Sequence, residues 1–270
     1  MDFSTIKLVA SDMDGTLLDP QHQLSEDFYP IYYALKEKGI LFAAASGRQY
    51  YNLLNLFKPI KDEIVFLAEN GSYVAYRGQE ILVQAMDPAV TKQTLQKAGT
   101  VPGVHLVLCG KKTAYVESSH EEFRRNVDLY YDEVQVVENL MDVEDDEFLK
   151  IAICDLAGAE NNSNTYFQAE REYLQVTVSG SIWLDICHKE ANKGKAMEVL
   201  QASLGITPEE TMVFGDYLND LKMIQKAYYS FAMENAHPDI KAAARFQAKS
   251  NSQNGVLEVL QQLVAVEQKS

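Results

Sequence analysis

Two aspartates lie two positions apart at the point where a short apolar segment of the chain ends. Residues 11–17 read SDMDGTL and follow the segment IKLVA at residues 6–10. Residues i and i+2 of an extended chain project to the same side, so Asp12 and Asp14 can reach one substrate. Two such carboxylates can divide the work of phosphoryl transfer, because one can attack phosphorus while the other moves protons. An isolated Asp-x-Asp pair is common on polar surfaces, but charges placed directly after a buried strand are costly unless they are used or paired.

The residues after this pair suit the same chemistry. Gly15 lets the chain turn sharply, and Thr16 offers a hydroxyl and an amide near a bound phosphate. A second polar segment, Ser46-Gly47-Arg48, follows the apolar run at residues 40–45. Its hydroxyl and free backbone amide could hold phosphate oxygens at the start of a helix. Capping of that helix by Ser46 is an equally good explanation of the same residue.

Two further motifs lie near the other end of the chain. Lys193 opens a predicted helix, where a cation is on the unfavourable end of the helix dipole; near a reacting phosphoryl group it would stabilise the transition state. An exposed lysine is the alternative. Asp216, Asn219 and Asp220 follow another apolar strand and can bring oxygen ligands opposite Asp12, which suits Mg²⁺. Helix capping by Asp216 or Asn219 explains one polar residue but not the cluster.

Alternating strands and helices must position these motifs. The apolar runs predict strands over residues 6–10, 40–45, 64–68, 211–214 and 228–233, with a hairpin at 73–85. Helices are predicted over residues 25–38 with a cap at Ser25, and over 50–57, 193–204, 219–226, from Pro238 and over 255–266. This rhythm predicts an α/β fold with a parallel sheet between layers of helices. Ligands of such sheets bind beyond the carboxyl ends of the strands, where all four motifs fall.

The pattern changes between residues 86 and 190. Strands predicted at residues 104–109, 113–117, 149–154, 176–179 and 183–187 form hairpin-like pairs separated by helices. This indicates an antiparallel sheet with helices on one face. We therefore expect two domains: residues 1–85 together with 191–270 form the catalytic core, and residues 86–190 form an inserted domain.

Composition and charge limit the classes of partner. The chain has 270 residues, of which 47% are hydrophobic and 23% charged, as in ordinary globular proteins. Its formal net charge of -15 would repel nucleic acid and anionic membranes, so neither is predicted as a partner; no protein partner is evident. No signal peptide or membrane-spanning run is recognised, and the three separated cysteines read as free thiols. These features predict a cytoplasmic protein.

The four motifs, in this order, resemble those of the haloacid dehalogenase (HAD) phosphatase superfamily. DMDGT at residues 12–16 looks like its first motif, Ser46 its second, Lys193 its third and GDYLND at 215–220 its fourth. The insertion is similar to the large C2-type (C2B) cap, and the sequence after residue 192 is similar to the Cof-type branch. The resemblance covers nearly the whole chain and implies a Rossmann-like parallel-sheet core with an inserted α+β cap domain.

The resemblance also implies roles for the motif residues. Asp12 would be the nucleophile and Asp14 the general acid and base, and Mg²⁺ would be held by Asp12, Asp216 and the backbone carbonyl of Asp14. Asp220 would support the metal site or Lys193. The residues expected to contact phosphate or substrate are Thr16, Ser46, Gly47, Arg48, Lys193 and Asn219. The neutral loop at residues 252–254 departs from relatives, which are often acidic there.

The activity implied is Mg²⁺-dependent hydrolysis of small phosphorylated metabolites, with sugar phosphates the favoured class. The sequence does not identify the substrate, because cap residues would select it and none of them can be ranked. Two alternatives stay open. A phosphomutase or phosphotransferase would pass the phosphoryl group to an added sugar phosphate. A phosphorylated binding module would hydrolyse its phosphate slowly, although an acid/base at Asp14 speaks against it.

Overall fold

The chain folds into two β-sheets with helices packed on both of them. The computed structural model describes residues 2–117 and 119–266. The strands are β1 (Leu8–Ser11), β2 (Leu41–Ala45), β3 (Val65–Ala68), β4 (Tyr73–Tyr76), β5 (Gln79–Val83), β6 (Val104–Gly110), β7 (Ala114–Val116), β8 (Val134–Val136), β9 (Phe148–Asp155), β10 (Leu174–Gly180), β11 (Trp183–His188), β12 (Thr211–Gly215), β13 (Tyr229–Met233) and β14 (Phe246–Ala248). The helices are α1 (Phe28–Glu37), α2 (Tyr50–Leu56), α3 (Pro88–Ala98), α4 (Glu121–Tyr130), α5 (Ser163–Tyr166), α6 (Lys193–Leu204), α7 (Leu221–Ile224), α8 (Pro238–Ala243) and α9 (Gly255–Ala265).

The first sheet, which we call the core sheet, has the order β14-β13-β12-β1-β2-β3-β4-β5. The pairs from β14 to β3 are parallel, and β3-β4-β5 are antiparallel. The predicted parallel α/β core is confirmed, and its apolar strands lie within two residues of their predicted bounds. Those strands are buried on both faces, which is why they read as continuous apolar runs. The edge strand β14 was missed because it is only three residues long.

The second sheet, the cap sheet, has the order β10-β11-β9-β6-β7-β8. Its pairs are antiparallel except for β7 and β8, which are parallel. All of its strands lie between residues 104 and 188, whereas the core strands lie between 8 and 83 and between 211 and 248. This membership supports the predicted division of the chain, which stays a prediction; we call residues 86–190 the cap segment.

Helices cover both faces of the cap sheet, so the prediction of helices on one face is wrong. Leu95 of α3 packs with Leu108 on one face. Phe123 of α4 packs with Val107 and Ala152 on the other. The physical reason is that strands β6 and β9 carry apolar side chains at successive positions, so both of their faces must be covered.

Three local predictions also change. Helix α1 begins at Phe28, three residues after the predicted start, although the hydroxyl of Ser25 accepts the amide of Asp27 as a capping serine does. The helix predicted over residues 219–226 is a short helical turn at Leu218–Asp220 followed by the four-residue α7. Strand β5 begins at Gln79, two residues before the predicted start.

None of the helices that the structure describes has both the length and the apolar character needed to cross a membrane.

The topology gathers the sequence motifs at one edge of the core sheet. Strand β1 lies between β2 and β12, with Ser11 paired to Ala44 and to Phe214. The residues that follow these three parallel strands therefore lie side by side. Helix α6 begins at the same edge, since Gly71, in the turn after β3, contacts the backbone there.

We expect Gly71→Ala to destabilise the fold more than Gly78→Ala, although both glycines have positive φ. Gly78 (φ +71°) faces open space, so alanine should cost about 1 kcal/mol of backbone strain. Gly71 (φ +89°) would place its new Cβ 2.6 Å from the carbonyl oxygen of Asn192, which should add roughly 1–3 kcal/mol. Urea unfolding gives the free energy of each variant. Equal losses would show that the approach of Gly71 to Asn192 is not tight.

Candidate active site

A buried lysine lies at the centre of the motif cluster. Nζ of Lys193 lies 2.5 Å from Oδ1 of Asp12 and 2.7 Å from Oδ1 of Asp220, and the lysine side chain is fully buried. Burial alone would lower the pKa of Lys193, but the two carboxylates outweigh it and the pKa is raised. The lysine is therefore a fixed positive charge beside Asp12.

The carboxylates around this lysine are crowded. Burial and the nearby charge of Asp220 raise the pKa of Asp12 well above its ordinary value. The same two causes raise the pKa of Asp216 to about 7, even though the hydroxyl of Thr16 donates to its Oδ1 at 2.8 Å. Gly15 allows this approach, because a Cβ at that position would lie 2.3 Å from Oδ2 of Asp216. The geometry thus brings more negative charge together than one lysine balances.

Such a cluster is a candidate metal site. Asp12, Asp216 and Asp220 each offer a carboxylate oxygen, and these atoms lie within 4.8 Å of one another. Asp220 is already engaged, because Oδ1 accepts from Lys193 while Oδ2 accepts the backbone amides of Asp216 and Tyr217. Asp12 and Asp216 are the better ligands, and hard oxygen donors that repel one another fit a divalent cation.

The second aspartate of the motif is held by two basic side chains. Arg48 donates through Nε to Oδ2 of Asp14 at 2.7 Å and through Nη2 to Oδ1 at 2.6 Å. Nδ1 of His22 lies 2.7 Å from Oδ1 of the same carboxylate. Burial would raise the pKa of Asp14, but these hydrogen bonds outweigh it and lower the pKa to about 2. Asp14 is therefore held as a carboxylate.

The guanidinium of Arg48 binds Asp14, which the sequence did not predict, while the predicted contact of Arg48 with substrate stays a prediction. Nη1 of Arg48 also donates to Oδ1 of Asn52 and to the backbone carbonyl of Leu129 in α4. His22 was missed, because it lies in a polar loop without a motif. Neither its positive φ of 60° nor its contact with Asp14 is visible in the sequence.

The turn after β2 also makes local contacts. Oγ of Ser46 accepts the amide of Arg48 at 3.1 Å, but the N-cap of α2 is Gln49, so the capping explanation for this serine is wrong. Ser46 and Gly47 line the cavity described below. Asn219 donates to Oδ1 of Asn70 at 2.9 Å. From the sequence, Asn70 could either reach substrate or serve only the turn after β3.

A cavity of about 340 Å³ lies beside these groups, between the core and the cap segment. Thr16, Lys193 and Asp220 lie behind its wall, and the other predicted site residues line it. The lining from the core is Asp12, Asp14, Gly15, Ser46, Gly47, Arg48, Asp216, Tyr217 and Asn219. The lining from the cap segment is Tyr130, Tyr131, Lys150, Ser179, Gly180, Ser181, Trp183 and Asp185. Sequence reasoning missed this second set, because nothing in its spacing marks it.

Buried polar contacts hold the cap segment against the core. Nζ of Lys150 lies 2.8 Å from Oε2 of Glu69, 3.6 Å from Oδ2 of Asp185 and 2.8 Å from the carbonyl oxygen of Gly47. Asp185 in turn accepts a hydrogen bond from Nδ2 of Asn70. Ion pairs this deeply buried depend on both partners, so the contacts fix the cap sheet over the cavity.

A second set of contacts joins α4 to the start of α2. Oε1 of Gln49 accepts the backbone amides of Asp132 and Glu133 at 3.0 and 2.9 Å, and Nδ2 of Asn52 donates to Asp132 at 2.7 Å. These bonds place the carboxyl end of α4, with Tyr130, directly over Arg48, whose guanidinium carbon lies 5.2 Å from the ring centre.

Comparison with known proteins gives one family and close relatives. The family model described as haloacid dehalogenase-like hydrolase matches residues 9–260. The chain is 33% identical to the 5-amino-6-(5-phospho-D-ribitylamino)uracil phosphatase YbjI of Escherichia coli (strain K12), over 96% of this chain and 97% of that one. It is 27% identical to the HMP-PP phosphatase of Cronobacter sakazakii (strain ATCC BAA-894), over 87% of each. The solved structure of SMU.1108c from Streptococcus mutans UA159 superposes with a TM-score of 0.89 at 29% identity, over 97% of this chain and 100% of that one.

We expect Lys193→Met to lower the free energy of unfolding by roughly 3–5 kcal/mol in the presence of EDTA, because it leaves buried carboxylates without their cation. Lys195→Met is the matched control. Lys195 lies on the same helix but is 41% exposed, and its pairing with Glu198 is worth under about 1 kcal/mol. Urea unfolding at neutral pH measures both. A loss no larger than that of the control would mean that Lys193 does not stabilise the acidic cluster.

Proposed function

The chain belongs to the haloacid dehalogenase-like hydrolase family and is a phosphoric monoester hydrolase; from this premise we propose that it hydrolyses small phosphorylated metabolites through an aspartyl-phosphate on Asp12. The observation that carries the proposal is the contact of Asp12 with the buried Nζ of Lys193 at 2.5 Å, at the edge of the cavity. A carboxylate held next to a fixed cation is oriented for attack, and the charge that develops on the phosphoryl group finds the same cation.

In the first step Asp12 attacks phosphorus, and the bond from phosphorus to the leaving oxygen breaks as the bond to the Asp12 carboxylate forms. Lys193 orients Asp12 through one carboxylate oxygen. Asp220 orients Lys193 in turn and is itself fixed by the amides of Asp216 and Tyr217. Ser46, Gly47 and Asn219 lie on the cavity wall, where they can contact the phosphate oxygens or the substrate.

Asp14 moves the protons. It gives a proton to the leaving oxygen, then takes one from the water that attacks phosphorus and releases Asp12. The contacts from Arg48 and His22 favour the form that accepts the proton. Donation therefore requires Asp14 first to take up a proton, from solvent or from the water consumed in the preceding turnover, and to exchange part of its contact with Arg48 for one with the leaving group. Arg48 thus controls the protonation and the position of Asp14, and it also lines the cavity in which the substrate would bind.

The acidic cluster fits Mg²⁺, held by Asp12, Asp216 and the backbone carbonyl of Asp14. When bound, the ion supplies positive charge that neutralises the phosphoryl oxygens. Thr16 positions Asp216 through its hydroxyl, so its part in the site is to orient a metal ligand.

The substrate class follows from the size of the cavity and from the relatives. A cavity of about 340 Å³ is near the lower end of small-molecule sites, so it suits one small metabolite and excludes a polymer. The Escherichia coli relative is named for a substrate that bears its phosphate on a ribityl chain. Both observations favour sugar and sugar-alcohol phosphates. The cytoplasmic location, and the exclusion of nucleic acid and membrane as partners, stay predictions from the sequence.

We expect wild-type protein to release inorganic phosphate from a panel of sugar and sugar-alcohol phosphates in Mg²⁺, and to release none in EDTA. Asp12→Asn should lower kcat by at least on the order of 10⁴-fold, because the nucleophile is lost. Its circular dichroism spectrum and urea midpoint show whether the fold persists. Addition of Mg²⁺ after EDTA should restore the activity.

Three results would count against this assignment. Activity near the wild-type level in Asp12→Asn would remove Asp12 from its role, and full activity in chelator would remove the metal. Transfer of phosphate to an added sugar phosphate, without release to water, would make the enzyme a mutase or phosphotransferase.

We expect Asp14→Asn to slow turnover by about 10²–10⁴-fold, because both proton transfers lose their acid/base. The variant should accumulate the aspartyl-phosphate, which acid quenching and intact mass spectrometry detect. Asp19→Asn is the matched control, since Asp19 lies in the neighbouring loop, binds backbone amides there and does not line the cavity. If no phosphoenzyme forms in the wild type or in Asp14→Asn, the covalent route is wrong.

A further inference from the structure

The cavity presents its substrate with no free positive charge on the described part of its wall. Its charged lining residues are the acids Asp12, Asp14, Asp185 and Asp216 and the bases Arg48 and Lys150. Both bases are bound to carboxylates. The scissile phosphate has its own partners at Asp12 and in the metal cluster, whereas a second anionic group on the substrate has none.

All three side-chain nitrogens of Arg48 already donate hydrogen bonds. Two of its nitrogens bind the two oxygens of Asp14, and the third donates to Asn52 and to the carbonyl of Leu129. An arginine has five N–H donors, so at most one is left. To turn toward a substrate anion, Arg48 would have to release Asp14 or the cap segment.

Lys150 is held by buried acceptors. Of the three N–H donors of its ammonium group, two are bound by Glu69 and the carbonyl of Gly47 at 2.8 Å, and Asp185 adds a carboxylate at 3.6 Å. Only 1% of the residue is exposed. It therefore lines the cavity without being able to pair with a new anion unless a buried ion pair breaks.

The rest of the cap wall is uncharged except for Asp185. Tyr130 and Trp183 form an edge-to-face pair with ring centres 5.8 Å apart, and Ser179 and Ser181 add hydroxyls. Aromatic faces pack against the C–H faces of a sugar or sugar alcohol, and the serine hydroxyls can both donate to and accept from its hydroxyl groups. Asp185 can accept hydrogen bonds from such hydroxyls but repels an anion.

Building on the proposed function, we propose that this cavity selects phosphomonoesters whose leaving group is an uncharged polyhydroxyl compound, and that it discriminates against substrates with a second phosphate or a carboxylate. The discrimination arises because the only bases on the described wall are held by Asp14, Glu69 and Asp185. The cap segment therefore sets specificity in two ways. The described part of its cavity wall has no free cation to bind a second anion, and it has hydroxyl groups and aromatic rings that can contact a polyhydroxyl leaving group.

The test on the wild-type enzyme uses matched substrates. Phosphate release is measured in Mg²⁺ for glucose 6-phosphate, glucose 1,6-bisphosphate and 6-phosphogluconate, with p-nitrophenyl phosphate as a reference and Asp12→Asn as the blank. We expect kcat/KM for each substrate with a second anionic group to be at least about tenfold below that of glucose 6-phosphate. Equal or higher values for the bisphosphate and the carboxylate would overturn the inference.

A matched pair of variants tests whether the charge of the wall is the cause. Ser181 is exposed at the cavity, so Ser181→Lys adds an unpaired cation there without touching the buried network. It should raise kcat/KM for the bisphosphate several-fold relative to glucose 6-phosphate. Ser203→Lys makes the same change of net charge at an exposed position of α6, outside the cavity. If the two variants behave alike, the wall charge is not the cause of the selection.

The two proposals fail in different ways. If no compound, including p-nitrophenyl phosphate, is hydrolysed, the proposed function is rejected and the inference is rejected with it. If the mono- and bisphosphate are hydrolysed with equal kcat/KM and Asp12→Asn is inactive, the proposed function stands and the inference alone is wrong.

Discussion

The buried contact between Lys193 and the carboxylates of Asp12 and Asp220 is the interaction on which the site depends. Three acids lie close enough to share one metal ion, and burial raises the pKa of Asp12 and Asp216. A fixed ammonium group makes this crowding tolerable, since it remains charged between two carboxylates. Repulsion among these carboxylates destabilises the folded protein, and the same repulsion favours the binding of a divalent cation.

The parallel sheet brings together acids that are about 200 residues apart in the sequence. Strand β1 lies between β2 and β12, so the turns that follow all three strands meet at one edge. Close backbone approach then fixes the details. Gly15 gives Asp216 room, and Gly71 lies against the backbone just before Lys193. The cap segment leaves the core through β5 and returns before α6, so it does not interrupt the strands that form this edge.

The sequence predicted most of the core and little of the cap wall, for a physical reason. Strands such as β2 and β12 are buried on both faces and therefore read as apolar runs, and Asp12, Ser46 and Asp216 stand directly after such runs. Lys150, Trp183 and Asp185 lie inside strands, where the sequence alone gives no sign of which face meets the core. The sequence also does not show which group a charged residue binds. Arg48 looked like a substrate ligand, and its contact with Asp14 could not be predicted because it depends on the loop that follows β1.

Arg48 also shows how the cap segment and Asp14, the proposed acid/base, are joined. The guanidinium that holds Asp14 donates at its other end to the carbonyl of Leu129 at the end of α4. A displacement of α4 would remove that acceptor, and Arg48 would lose part of the geometry that keeps it on Asp14. The position of the cap segment and the orientation of Asp14 are therefore not independent. Tyr130, at the end of α4, lies over Arg48, so the cap segment contacts one of the two basic side chains that hold Asp14.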